Sequence, residues 1–127
     1  MKKLTALLLA VLLLTGCSAA PQEASFRQIS QQEALELMDT QEDYVILDVR
    51  RPDEFASGHI PSAVNIANET IGETEPPELP HKDQLILVYC RSGNRSKQAS
   101  QKLADLGYTN VVEFGGINTW PGEIVTD

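Results

Sequence analysis

Along this chain the apolar positions change their period several times, and each change marks an element. Ser30-Gln31-Gln32-Glu33 has the Ser-x-x-Glu form in which a hydroxyl and a carboxylate cap a helix start. Ala34, Leu35, Leu37 and Met38 follow at near-helical spacing, which predicts a helix over 31–39. Tyr44-Val45-Ile46-Leu47 is short and almost wholly apolar, as expected of a strand buried on both faces. Pro52, Asp53 and Glu54 open a brief helix that ends before Gly58, since proline suits a first helical turn. Residues 63–66 form a second strand candidate, and 68–82, with Pro76, Pro77 and Pro80, read as a loop holding at most a helical turn. Leu85-Ile86-Leu87-Val88-Tyr89 is the strongest strand pattern. Ala99, Leu103 and Leu106 lie on one stripe of a helix over 96–106, and Gly107 stops it. A last strand over 110–114 runs into Gly115-Gly116 and a short final helix.

Apolar strands alternating with helices imply an α/β fold with a parallel sheet covered on both faces. Ligands of open parallel sheets bind beyond the carboxyl ends of the strands. The most apolar strand here ends at Tyr89, and the next residue is Cys90.

The N-terminus follows a different rule. Lys2-Lys3 precede an apolar run from Leu4 to Leu14, and Leu14-Thr15-Gly16-Cys17 follows. As a helix, eleven residues would reach about 16 Å, roughly half a bilayer core, so a secretory signal fits better than a spanning helix. The small residues before Cys17 resemble a bacterial lipoprotein signal: residues 1–16 are the signal peptide, and Cys17 is lipidated and becomes the new N-terminus. An ordinary signal peptide with an incidental cysteine is the plainer alternative. Residues 17–24 have no periodicity and read as a flexible tether, leaving 25–127 as one domain. The protein is then expected to be exported and lipid-anchored on the extracytoplasmic face.

Charge narrows the functional classes. The 127 residues carry 10 basic and 18 acidic side chains, a net −8, which argues against binding nucleic acid. Losing residues 1–16 removes Lys2 and Lys3 and no acid. The remaining surface would be repelled by an anionic leaflet, so a lipid anchor and not a basic patch must hold it. Two cysteines exclude a disulfide scaffold and a four-cysteine zinc site. No phosphate loop, dinucleotide glycine pattern or metal-ligand cluster occurs, so neither an organic cofactor nor a metal is expected.

With Cys17 lipidated, Cys90 is the one remaining thiol, either a small buried hydrophobe or a reagent. Its surroundings favour the reagent. Cys90-Arg91-Ser92-Gly93-Asn94-Arg95-Ser96 bridges the buried strand and the following helix. Backbone N–H groups in such a turn lack helical partners and can converge on an anion. Gly93 permits a positive φ, and Arg91, Arg95 and Lys97 add positive charge. A thiol there should ionise more readily than usual. His59, in a Gly-His-Ile-Pro turn, reads as a structural hydrogen-bonding residue. Asp48 and Arg50 either line the site or pair to organise a turn, and Trp120 reads as a core plug more readily than a ligand platform.

Several motifs together resemble the single-domain rhodanese family: Leu47-Asp48-Val49-Arg50, Glu54-Phe55, Gly58-His59-Ile60-Pro61-Ser62-Ala63, the Cys90–Ser96 loop, and Gly115-Gly116-Ile117 with Trp120. The resemblance spans nearly all of residues 26–122. It implies a three-layer α/β/α fold around a five-stranded parallel sheet, and a sulfurtransferase in which Cys90 carries sulfane sulfur as a persulfide. Arg91, Ser92, Gly93, Asn94, Arg95 and Ser96 would form the substrate cradle. The implied partners are a small anionic donor such as thiosulfate and a thiol or cyanide acceptor, and the expected state is a monomer. The alternative is a persulfide carrier or redox-sensing module that does not turn over. Two positions depart from the pattern: Ser62 stands where glycine is frequent, and Glu54 where two-domain thiosulfate transferases carry arginine. Four residues separate Cys90 from Arg95, whereas phosphatases of related fold use five, which disfavours phosphate-ester or arsenate chemistry.

Overall fold

The structure, a computed structural model, describes residues 24–126. In chain order, the elements are β1 (Arg27–Gln28), α1 (Gln31–Thr40), β2 (Tyr44–Asp48), α2 (Pro52–Ala56), β3 (Val64–Asn65), β4 (Leu85–Cys90), α3 (Asn94–Asp105) and β5 (Val111–Gly116). Short 3-10 turns cover Asn68–Thr70 and Ile117–Thr119. All five strands are parallel, in the order β1-β5-β4-β2-β3.

The two-residue alternation of strand side chains divides the core into two layers. On one face Leu47, Ile86, Val88, Cys90 and Val111 pack with Ala99 and Leu103 of α3. On the other, Ile46, Leu87, Tyr89, Val112 and Phe114 pack with Ala34 of α1, and Trp120 closes the edge. Four consecutive β4 residues, Ile86 to Tyr89, are fully buried. Each large apolar side chain so placed is worth about 1.5–3 kcal/mol. This parity sends Cys90 to the α3 face. By the same count along β5, Glu113 joins it there.

The expected caps are present. The Ser30 hydroxyl accepts from the Glu33 N–H at 3.1 Å and donates to the Glu33 carboxylate at 3.2 Å. Gly107, at φ +98°, ends α3, and the Tyr108 N–H returns to the Leu103 carbonyl. Several element boundaries differ by one or two residues from those the pattern predicts. Helix α3 starts at Asn94, two residues early, because the Gly93 carbonyl already accepts from the Lys97 N–H at 3.3 Å. Strand β5 continues through Gly116, and β1 is an additional strand whose two exposed residues carry no alternation.

Between β4 and β5 the register slips. Val88 faces Glu113 but Cys90 faces Gly116, so β5 holds one extra residue beside the end of β4. Such bulges re-aim backbone and side chains at the ends of sheets.

Candidate active site

Strand β4 delivers Cys90 to the end of the sheet, buried with its thiol unpaired by any disulfide. The chain then folds back over it. Gly93 adopts φ +108°, a left-handed geometry that costs a side-chain-bearing residue about 1–2 kcal/mol. Its N–H thereby points at the Cys90 sulfur, 3.0 Å away. The thiol in turn donates to the Ser96 hydroxyl at 3.4 Å. Burial pushes the thiol pKa up, but the hydrogen bonds that the ionised sulfur would accept from the Ser96 hydroxyl and from the backbone N–H groups of Ser96, Gly93 and Ser92 together pull harder. The net direction is down from the ordinary value. The loop therefore favours a negative sulfur, largely through dipoles already fixed in place.

What holds the loop is the glycine pair. A Cβ on Gly116 would overlap the Arg91 carbonyl and the Ser92 Cα, so only glycine lets β5 pass this close. The Arg91 carbonyl accepts from the Asn118 N–H at 3.2 Å, and Gln31 of α1 donates to the Gly116 carbonyl at 2.8 Å. Of the expected cradle residues, Gly93 and Ser96 are buried and hydrogen-bonded to Cys90, whereas Arg91, Ser92 and Asn94 are exposed.

Arg95, which the resemblance places in the cradle, carries its charge into an ion pair. It forms a two-pronged pair with Glu54 of α2, at 2.6 and 3.0 Å. Arg51 also approaches the same carboxylate, at 3.6 Å. The hydrogen bond with Arg95 is the main cause holding the Glu54 carboxyl down to about 2. The unusual acid at position 54 thus neutralises the arginine that closes the loop.

Asp48 and Arg50, for which two roles were open, form a buried ion pair with a shortest contact of 2.6 Å. Arg50 also donates to the Gly58 carbonyl at 2.7 Å, and the Asn65 amide donates to the Asp48 and Arg50 carbonyls at 3.0 and 2.9 Å. The pair organises the turn after β2. The His59 ring lies 3.0 Å from the Phe55 carbonyl and stacks on the Phe55 ring, in keeping with a structural role. Trp120 packs on Phe114.

Pattern reading overlooked one residue altogether. Glu113 is 3% exposed on β5. Its carboxylate accepts from the Ser96 hydroxyl at 2.7 Å and from the Gly115 N–H at 2.8 Å. The signal was present as a lone acid inside the apolar run Val111-Val112-Glu113-Phe114. Among the described residues no three His, Cys, Asp or Glu side chains gather as a metal-holding group.

The fold and site define a three-layer parallel α/β domain with a buried cysteine at a strand end, under the backbone N–H groups of the following turn. Comparison with known proteins resolves it further. Residues 30–123 match the rhodanese-like domain family, and the chain belongs to that family. A sulfurtransferase of Allochromatium vinosum is 42% identical over 85 residues, covering 66% of this chain and 77% of its own length. The thiosulfate sulfurtransferase GlpE of Pseudoalteromonas translucida is 34% identical over 97 residues, covering 76% and 90%. A rhodanese-related protein of Thermoplasma volcanium superposes with a TM-score of 0.67 at 30% identity, over 80% of this chain and all of the other. The protein is a sulfurtransferase-like enzyme of the rhodanese type.

Residues 1–18 match the prokaryotic membrane lipoprotein lipid attachment site, which marks an exported, membrane-anchored lipoprotein. Cys17 falls within that match but outside the described residues. No helix among the described residues is long and apolar enough to cross a membrane.

Proposed function

We propose that the enzyme transfers sulfane sulfur through a persulfide on Cys90. The thiolate attacks the outer sulfur of a donor such as thiosulfate, the donor's S–S bond breaks, and sulfite leaves with the bonding electrons. An acceptor thiolate, or cyanide in an assay, then attacks the outer sulfur of the persulfide and restores the Cys90 thiolate. The observation that carries this reading is the Gly93 N–H held 3.0 Å from the Cys90 sulfur by a positive φ, a fixed donor for negative charge on sulfur. The four-residue spacing between Cys90 and Arg95 supports a cradle sized for one sulfur atom. With Arg95 paired to Glu54, the donor site relies on backbone N–H groups more than on a bare guanidinium. Arg91, Ser92 and Asn94 would form its outer rim.

Lipidation of Cys17 would anchor the domain, residues 25–127, on the extracytoplasmic face through the 17–24 tether, as a monomer. The decisive measurement for the chemistry is an intact mass after incubation with thiosulfate and removal of excess donor. The reading expects one added sulfur on the wild type, lost on adding cyanide, and none on Cys90→Ser. A wild-type mass that never changes would overturn it.

A further inference from the structure

The mechanism above leaves one buried ionisable group unused. Glu113 lies on the α3 face of β5, next to the catalytic sulfur, and its hydrogen-bond partners are all neutral: the Ser96 hydroxyl, the Gly115 N–H and, at 3.5 Å, the Gln28 amide. A buried carboxylate without a cationic partner is costly to keep. Its position invites a reason beyond packing.

The geometry points to a proton-transfer chain of Cys90, Ser96 and Glu113, in which the carboxylate of Glu113 takes the thiol proton through the Ser96 hydroxyl and later returns it. The Cys90 thiol donates to the Ser96 oxygen at 3.4 Å, and the Ser96 hydroxyl has its shortest contact, 2.7 Å, with Glu113. Ser96 and Cys90 are at most 1% exposed, so solvent does not interrupt the chain. The Gly93 and Gly115 carbonyls, 2.9 and 3.4 Å from the Ser96 oxygen, compete for the same proton, and the Glu113 carboxylate is the nearest of the three acceptors.

The step balances without any added reagent. As the sulfur–hydrogen bond breaks, its proton moves to the Ser96 oxygen and the Ser96 proton moves to the Glu113 carboxylate. The outcome is a thiolate that accepts from the Ser96 hydroxyl, beside a neutral carboxylic acid. No electron changes centre. Two like charges so close together in a buried site disfavour each other, and sharing one proton between them avoids that conflict. When the acceptor later removes the outer sulfur, the regenerated thiolate recovers its proton by the reverse path. That return half rests on the persulfide reading; the loading half does not, and it is the half put to the test.

Few other groups face this chain. From α3, Arg95 interacts with the Cys90 charge, and it is itself tied to Glu54 of α2. Strand β1 supplies the neutral Gln28, and α1 the neutral Gln31.

The test is the pH dependence of iodoacetamide alkylation at Cys90 in the full-length chain. Alkylation is read by mass spectrometry on the tryptic peptide Asp83–Arg91, so Cys17 does not contribute. A thiol and a carboxyl sharing one proton titrate as a pair. The wild-type rate should therefore rise in two steps separated by a plateau. In Glu113→Gln the plateau should vanish, and the rate should climb about tenfold per pH unit through the same range until the thiol is ionised. Ser96→Ala should also give one step, Ser96→Thr should keep two, and Ser96→Ala with Glu113→Gln should add nothing further.

A single-step wild-type profile overturns the proposal, as does a plateau that survives in Glu113→Gln. Should Glu113→Gln fail to fold, the contrast between Ser96→Ala and Ser96→Thr decides, and one-step profiles in both overturn it. Uptake of sulfur plays no part in this measurement, so a failed persulfide test and a failed proton chain are distinguishable.

Discussion

Two neighbouring strand ends of this sheet solve the same problem in opposite ways. Strands β2 and β4 are paired in parallel, with Asp48 opposite Tyr89, and each runs through a charged turn into a helix. After β2 the turn satisfies itself: Arg50 grips Asp48, the Arg50 guanidinium reaches the Gly58 carbonyl, and Asn65 caps two carbonyls. After β4 the turn aims an N–H at a sulfur atom and leaves the charged side chains Arg91 and Arg95 to the outside and to Glu54. Closure by ion pairing makes a brace. Closure by backbone dipoles around a sulfur makes the proposed site. The same topology serves both, so position at the carboxyl end of a strand does not by itself confer chemistry. What differs is whether the turn's donors are consumed internally.

The largest expected effect lies on the reactive side. Cys90→Ser should reduce sulfur transfer to background while thermal unfolding stays close to wild type. The exchange is nearly isosteric, and a hydroxyl at neutral pH forms no persulfide. Steady-state transfer to cyanide together with a melting curve checks both halves. Turnover above background in this variant would place the nucleophile elsewhere.

The brace should respond the other way. Asp48→Ala leaves Arg50 buried at 5% exposure with its partner gone, and breaking a buried pair from one side costs about 3–5 kcal/mol. Denaturant unfolding should show that loss, with kcat/KM per folded molecule little changed. A loss of under 1 kcal/mol would mean that the Gly58 carbonyl and solvent suffice for Arg50.

How far each side was legible follows from the reach of its contacts. Strand β4, the stripe of α3 and the Ser30 cap are local patterns, and they occur where periodicity places them. The cysteine loop was legible because its whole constellation lies within seven consecutive residues. The Arg95–Glu54 pair joins positions 41 apart in the chain and the Ser96–Glu113 contact positions 17 apart. No local period encodes such meetings, which arise from strand order and from the β5 bulge. Strand β1 is invisible for a related reason: its two residues are exposed, and their pairing with β5 is set by the sheet.

The contact between the two sides is Glu54, and changing it sharpens the contrast. Glu54→Gln would return a full positive charge to Arg95 beside the sulfur. The efficiency with thiosulfate should rise by up to about tenfold, equivalent to about 1.4 kcal/mol, while a neutral persulfide donor gains little. Equal gains with both donors would show that the pair only shapes the loop. The same pair has a pH signature. Glu54 is held down from 4.5 to about 2 in the folded protein. Because the folded value is the lower one, its contribution to stability is complete above about 4.5 and disappears as pH falls towards 2. The stability difference between wild type and Glu54→Gln should therefore close across that window and stay constant above it.

The smallest effect concerns Ser62, in the turn that follows His59 on the brace side. Ser62 holds φ +68°, the one left-handed conformation adopted by a residue other than glycine among those described. This is where the resemblance leads one to expect glycine. A side chain in that region costs about 1–2 kcal/mol, partly offset by the greater chain entropy glycine loses on folding. Ser62→Gly should therefore stabilise the domain by about 0.5–1 kcal/mol, visible as a higher denaturant midpoint at unchanged slope. The hydrogen-bond partners of the Cys90 sulfur, Gly93 and Ser96, lie outside this turn, so transfer rates with thiosulfate should stay at the wild-type level. A gain in stability accompanied by an altered rate would mean that the two strand ends are mechanically coupled, and that the brace tunes the site it stands beside.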